Sequence, residues 1–134
     1  MRTLLIYVAA GIVTLWGIAH IMIPTRAIMD GFGPISADNR RILLMEWLME
    51  GVLLIFLGVL VVLVTLFGEV SNNTTILVYR SCAVVLLVMA GISLFTGART
   101  KMLPMKLCPP IFVSAATLFF LATVIWCREL SIIA

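Results

Sequence analysis

Four long apolar stretches alternate with three short polar segments along this chain. Each stretch holds about 20 or more residues with few charges, which is the length an α-helix needs to cross the hydrocarbon core of a bilayer. Backbone amides in lipid must be hydrogen-bonded within the chain, and a helix satisfies them. The pattern therefore predicts an all-α, integral membrane four-helix transmembrane bundle with short loops, its helices lying at about residues 3–23, 40–67, 76–96 and 107–127.

Local signals place several helix ends. Ser36 or Asp38 is expected to cap helix two, and Gly68 is expected to end it. Pro109 and Pro110 are expected in the first turn of helix four, where a backbone N–H has no helical partner to lose. The polar segments thus predict tight connections between the four spans.

The first apolar stretch follows Arg2 directly, as it would in a signal peptide. It lacks a clear cleavage site between small residues followed by a polar mature domain. We therefore expect it to be retained as helix one, which ends near Pro24 because a proline disfavours helical geometry in the residue before it.

Composition agrees with this picture. The chain has 134 residues, of which 63% are hydrophobic and 11% are charged, and its mean hydropathy is +1.25. Soluble domains carry about 25% charged residues. Four spans with short loops use nearly the whole length, so residues 1–134 form a single transmembrane domain.

The net charge of +3 does not indicate nucleic acid, because the basic residues are scattered at the ends of apolar stretches. They serve instead to predict orientation, since loops rich in Lys and Arg tend to stay in the cytoplasm. Six basic residues lie in the segments 24–39 and 97–106 or at the start of helix two: Arg26, Arg40, Arg41, Arg99, Lys101 and Lys106. The opposite side of the membrane has three, namely Arg2, Arg80 and Arg128. We expect both termini outside and those two loops in the cytoplasm.

The three cysteines, Cys82, Cys108 and Cys127, have no C-x-x-C spacing and lie in or beside apolar stretches. This favours small buried thiols over a zinc site or a disulfide framework. Cys82 and Cys127 can lie on the same side of the membrane, so a disulfide between them is an alternative that the sequence does not exclude.

Ionisable residues inside a membrane span are costly and usually face the bundle interior, where they mark function. His20 near the end of helix one and Glu46 and Glu50 in the first half of helix two reach similar depths if these helices are adjacent and antiparallel. The two glutamates are four residues apart and share a helix face with Asn39, while Trp47 stands beside them. These five residues are the predicted ligand-binding site.

Other interpretations of the same residues remain. Glu46 can reach the lipid headgroups or pair with Arg41 or Arg26, and Glu50 can hydrogen-bond across helices as a structural contact. Trp47 can belong to the aromatic belt at the membrane interface. One histidine and two glutamates on two helices form an incomplete ligand shell, so no metal site is predicted.

The run from Gly17 to Pro24, with His20 at its centre, precedes a loop with Pro34 and then the run from Glu50 to Leu54. This arrangement resembles DoxX-like small four-helix membrane proteins, in which a G-x-x-H-x-x-x-P ending of helix one precedes a helix two rich in glutamate, leucine and glycine. The likeness covers the first half of the chain.

The resemblance implies a compact bundle that works beside a redox partner, in keeping with the family's association with quinone and sulfur redox systems. His20 and Glu50 would be the family's recurring polar positions. This chain departs from the pattern by its additional Glu46 and by the absence of family marks in helices three and four.

The sequence therefore predicts a small accessory or ligand-binding membrane protein, its ligand quinone-like or otherwise lipophilic. An oligomeric channel or proton-coupled transporter is an alternative, weakened because helices three and four lack a polar stripe. An enzyme acting on a lipid substrate is another, using Glu46 or Glu50 as base and His20 as acid. Besides the lipid bilayer, the expected partners are another membrane protein or a second copy of this chain. The sequence identifies no catalytic residue and no cofactor.

Overall fold

The computed structural model describes residues 2–22, 29–69 and 72–133, with side chains described as far as residue 124. The described residues form four long helices: helix one at Arg2–Met22, helix two at Ala37–Phe67, helix three at Asn73–Phe95 and helix four at Leu103–Ile133. A 3-10 turn at Gly97–Arg99 follows helix three. All four helices are long and apolar enough to cross a membrane, so the protein is a multi-pass membrane protein with an all-α fold.

Side-chain caps begin helices two and three. The Ser36 hydroxyl accepts a hydrogen bond from the Asn39 amide at 3.2 Å, so helix two begins three residues earlier than predicted. Asn72 caps helix three in the same way by accepting from the Thr74 amide at 2.9 Å. Gly68 ends helix two, as expected from the sequence.

Helix four differs from the sequence-based expectation. It begins at Leu103, about four residues early, and Pro104 takes the first-turn position in which proline is tolerated. Pro109 and Pro110 consequently lie inside the helix, where they remove two backbone donors. The helical backbone also continues past 127 to Ile133.

Helix one packs extensively against helices two and four, and helix three packs mainly on helix four. Glycines set the close approach of helices one and two. A Cβ at Gly17 would stand 2.7 Å from the Gly51 carbonyl oxygen, and one at Gly58 would stand 2.8 Å from the Ala10 carbonyl oxygen. Only hydrogen side chains permit this contact, a familiar device in membrane helices.

Helices two and three touch at few positions, although they are consecutive. Near the turn that joins them, the Thr65 hydroxyl donates to the Val61 carbonyl, and the Tyr79 hydroxyl then donates to Thr65 at 2.9 Å. Towards the opposite end, the two helices are separated by a cleft. That end is where helix one finishes and helix four begins.

Large apolar side chains cover the outer surface of the bundle, as lipid contact requires: among them are Leu4, Leu15, Phe56, Phe67 and Leu77. The interior contains small residues beside aromatic ones, including Ala83, Ala115, Phe112 and Phe119. Cys82 and Cys108 are buried free thiols, as expected for them. The side chain of Cys127 lies outside the described part of the chain.

Candidate functional site

His20 is completely buried in the last turn of helix one. Its Nδ1 lies 3.0 Å from the carbonyl oxygen of Trp16, one turn earlier. Since a carbonyl can only accept, Nδ1 carries the ring proton and donates it there. In the neutral imidazole the other ring nitrogen, Nε2, then offers a lone pair to the bundle interior.

Trp47 of helix two holds His20 in two ways. The two rings stack with centroids 4.5 Å apart and planes inclined by 25°. The Trp47 indole N–H also donates to the His20 carbonyl oxygen at 2.6 Å. That carbonyl belongs to the last turn of helix one, and the residue four positions on is Pro24, which has no N–H to offer. Trp47 of helix two thus supplies a hydrogen-bond donor that Pro24 cannot provide.

Glu50 approaches the free side of the imidazole. Its Oε1 lies 3.8 Å from His20 Nε2, and its side chain is 28% exposed where that of His20 is fully buried. Gly51 makes this approach possible, because a Cβ there would stand 3.0 Å from the Gly17 carbonyl oxygen and 3.1 Å from His20 Cβ. The carboxylate thus connects a buried imidazole with a more open space.

Helix four adds a thiol to the same point. Cys108 is 2% exposed, and its Sγ lies 3.9 Å from His20 Nε2 and donates to the Pro104 carbonyl oxygen at 3.4 Å. One ligand-type atom each of His20, Glu50 and Cys108 lies within 4.8 Å of the other two. Helices one, two and four therefore converge on a nitrogen, an oxygen and a sulfur; we call these three residues the triad.

A cleft of about 500 Å³ opens beside the triad, between helices two and three. Its lining is apolar and rich in methionine, apart from two glutamates: it comprises Met29, Phe32, Leu43, Glu46, Trp47, Met49, Glu50, Leu53, Met89 and Met105. A second cavity of about 210 Å³ shares Glu50, Met89 and Met105 with the first and reaches Cys108. We refer to the larger cavity as the cleft and to the smaller as its side cavity.

The structure brings together three of the five residues predicted for the site, namely His20, Trp47 and Glu50. Glu46 is exposed and lines the cleft away from the imidazole. Asn39 is exposed in the first turn of helix two and is not part of the cleft lining, because that turn extends beyond the packed part of the bundle.

The nearby arginines have other partners. Arg41 forms an ion pair with Asp38 at 3.3 Å, and Arg40 forms one with Asp30 at 3.6 Å. Arg26, the other partner considered for Glu46, lies outside the described residues. Among the residues described, no ion pair joins Glu46 to a basic side chain.

Two members of this site were missed by the sequence reasoning. Trp16 could have been found, because it lies one helical turn before His20 and therefore on the same face. Its ring meets His20 edge to face at 5.3 Å, and its buried Nε1 has no hydrogen-bond partner among the described residues. Cys108 gave no such signal, since only the packing of helix four on helix one brings it near.

The arrangement can donate and accept hydrogen bonds at the end of an apolar space, and it can present three different ligand atoms to a cation. Glu50 keeps this capacity because its 3.8 Å separation from His20 Nε2 is longer than an ordinary hydrogen bond between nitrogen and oxygen, and Cys108 makes only a long sulfur contact of 3.9 Å to the same nitrogen. Comparison with models of known families, with curated proteins and with solved structures gives no match to this chain, so the chemistry of the site is argued from its own residues.

Proposed function

We propose that the protein is a small ligand-binding membrane subunit that holds a lipophilic molecule with a hydrogen-bonding head group, of the quinone-like class, in the cleft. The observation that carries the proposal is the partly exposed carboxylate of Glu50, which lines an apolar cleft and lies 3.8 Å from the fully buried His20. Ionisable residues within a span are expensive, and such groups usually serve a ligand or an ion.

The dimensions and lining of the cleft fit a ligand of this kind. Its volume of about 500 Å³ falls within the range of small-molecule sites, which are mostly apolar with a few polar groups that fix orientation. Methionine side chains such as Met49 and Met89 adapt their shape to an apolar tail or ring. Glu50 remains available to hydrogen-bond a carbonyl or hydroxyl head group, and the fully buried His20 lies behind it, 3.8 Å from the carboxylate.

The position of the cleft supports entry from the lipid. It lies between helices two and three, which make little contact with each other, so a molecule dissolved in the bilayer reaches the triad without crossing water. Exposed Met49 and Leu53 form part of the mouth. The resemblance to DoxX-like proteins, with its association with quinone redox systems, points to the same ligand class and to a redox partner in the membrane.

Native mass spectrometry of the protein in mild detergent, together with quenching of tryptophan fluorescence by a short-chain quinone, tests the proposal. We expect a bound lipophilic species or saturable quenching in the wild type. Met89→Trp, which places a bulkier indole at a residue that lines both the cleft and its side cavity and so narrows both, should strongly reduce the bound species. Val88→Trp is the matched control, because Val88 is exposed and lines neither space.

Glu50→Gln tests the contribution of the carboxylate charge while keeping the shape of the cleft. Glu46→Gln is its control, because Glu46 lines the same cleft but lies outside the triad. We expect the first to weaken binding and the second to leave it within about twofold. If native mass spectrometry shows only ligand-free protein in the wild type and in every variant, and quinone quenching does not saturate, the cleft is not a ligand site. The triad would then be a packing contact among helices one, two and four.

A further inference from the structure

The triad has the composition of a transition-metal site as well as that of a hydrogen-bonded cluster. An imidazole, a carboxylate and a thiol come from three different helices and approach one another within 4.8 Å. Imidazole nitrogen, carboxylate oxygen and thiolate sulfur are the three donor types that Zn²⁺ takes from proteins. Of the two cysteines whose side chains are described, only Cys108 takes part.

The histidine is already oriented as a metal ligand. Metal-binding histidines commonly donate their second ring N–H to a backbone carbonyl or a carboxylate, which fixes the tautomer and the ring orientation. His20 does this through Nδ1 and the Trp16 carbonyl at 3.0 Å, and stacking on Trp47 fixes the ring plane. Nε2 is left facing both other members of the triad.

The separations are close to those that a tetrahedral ion requires. Bond lengths of about 2.0–2.3 Å at tetrahedral angles place the donor atoms roughly 3.4–3.6 Å apart. The observed separations are 3.8 Å from His20 Nε2 to Glu50 Oε1 and 3.9 Å to Cys108 Sγ. These two separations need to close by a few tenths of an ångström. The third, from Glu50 to Cys108, lies within 4.8 Å, and Glu50 can move to shorten it because its side chain is partly exposed.

Charge favours a divalent ion at this position. A carboxylate and a thiolate together neutralise Zn²⁺, so the filled site carries no net charge into the span. Binding releases the thiol proton of Cys108 to solvent, because the thiolate is the form that ligates metal. Three protein ligands leave a fourth position, and Glu50 lines both the cleft and the side cavity, so the space needed for that position is at hand.

We propose that His20, Glu50 and Cys108 bind one Zn²⁺ ion per chain, with the remaining coordination position open to the cleft. The proposal goes beyond the binding of a lipophilic molecule and does not depend on it, since the ion needs no other ligand than the triad and water. Protein-bound metals with three protein ligands and one open position characterise sites at which small molecules are bound or activated.

The test uses metal ions alone, on full-length protein in detergent that has been stripped with a chelator. We expect about one Zn²⁺ per chain after gel filtration. Co²⁺ should give the strong visible bands of tetrahedral coordination with a thiolate-to-cobalt band in the near ultraviolet. Cys108→Ser should remove the near-ultraviolet band and weaken Zn²⁺ binding at least about tenfold, and Glu50→Gln should weaken it without removing that band.

Matched variants exist for both ligands. Cys82→Ser removes a second buried thiol, from helix three, and Glu69→Gln removes an exposed glutamate at the opposite end of the bundle; both should bind Zn²⁺ as the wild type does. Gel filtration and thermal unfolding check that each variant folds, and Cys108→Ala is a second variant if serine disturbs packing. A Co²⁺ spectrum without a thiolate band, or equal affinity in Cys108→Ser and wild type, overturns the site.

The outcomes also separate this proposal from the preceding one. Metal-stripped protein that still shows saturable quinone quenching, with no Zn²⁺ bound by the triad, rejects the metal site and keeps the cleft. Zn²⁺ binding that is lost in Cys108→Ser, with no quinone bound in any state, rejects the lipophilic ligand and keeps the metal site.

Discussion

The indole N–H of Trp47 donates a 2.6 Å hydrogen bond to the carbonyl oxygen of His20. This contact joins helix two to the end of helix one, and it compensates for a donor that the chain cannot provide at Pro24. The same tryptophan ring stacks on the imidazole. One side chain therefore both closes a helix end and orients the central residue of the triad.

Trp47→Phe should destabilise the protein by about 1–3 kcal/mol, because the buried His20 carbonyl loses this donor while an aromatic ring is retained. Trp16→Phe is the matched control, since the buried Trp16 Nε1 has no hydrogen-bond partner among the described residues. Both substitutions remove the same atoms. Thermal unfolding in detergent measures the difference, and equal losses of stability would show that the Trp47 bond contributes nothing.

The sequence was sufficient for the four spans because the length of an apolar stretch is a local property. It also limited the cap of helix two to Ser36 or Asp38, of which the helix uses Ser36. It was not sufficient for the start of helix four. Pro109 and Pro110 were placed in the first turn, and the chain instead uses Pro104 there, because proline tolerance alone does not say which of several prolines begins the helix.

The residues of the candidate site also differ in whether the sequence alone could predict them. His20 and Glu50 could be brought together from the sequence because consecutive antiparallel helices place them at similar depths. Cys108 could not, since its place depends on the face that helix four turns towards helix one. Asn39 was included because it shares a helical stripe with Glu46, but a stripe continues past the point at which packing ends.

Gly51→Ala should destabilise the protein by about 1–3 kcal/mol and should disturb the triad. The added Cβ would meet the Gly17 carbonyl oxygen at 3.0 Å and His20 Cβ at 3.1 Å, and neither is the flexible end of a side chain. The backbones of helices one and two would have to separate, which moves Glu50 relative to His20. Thermal unfolding and the Co²⁺ spectrum report the two effects.

Gly91→Ala provides the control for this substitution. A Cβ at Gly91 meets nothing within 4 Å, so alanine should be neutral or should stabilise helix three by up to about 1 kcal/mol. Equal destabilisation by the two changes would mean that glycine is not required at the contact of helices one and two.

Tyr79→Phe should cost about 0.5–1.5 kcal/mol, because it removes the buried hydrogen bond from Tyr79 to the Thr65 hydroxyl. This bond matters because helices two and three otherwise touch at few positions. Tyr7→Phe is the comparison, since the described residues give the Tyr7 hydroxyl no hydrogen bond. A double-mutant cycle with Thr65→Val measures the coupling, and strictly additive effects would show that the bond does not join the helices.

The orientation expected from the basic residues can be tested at opposite ends of the bundle. Lys101 and Glu69 are both exposed, the first in the connection from helix three to helix four and the second in the turn after helix two. If loops rich in Lys and Arg stay in the cytoplasm, a membrane-impermeant maleimide added to intact cells should label Glu69→Cys above the wild-type background. Lys101→Cys should react only after the cells are permeabilised. The reverse pattern would place the end of the bundle that holds the cleft and the triad outside the cell.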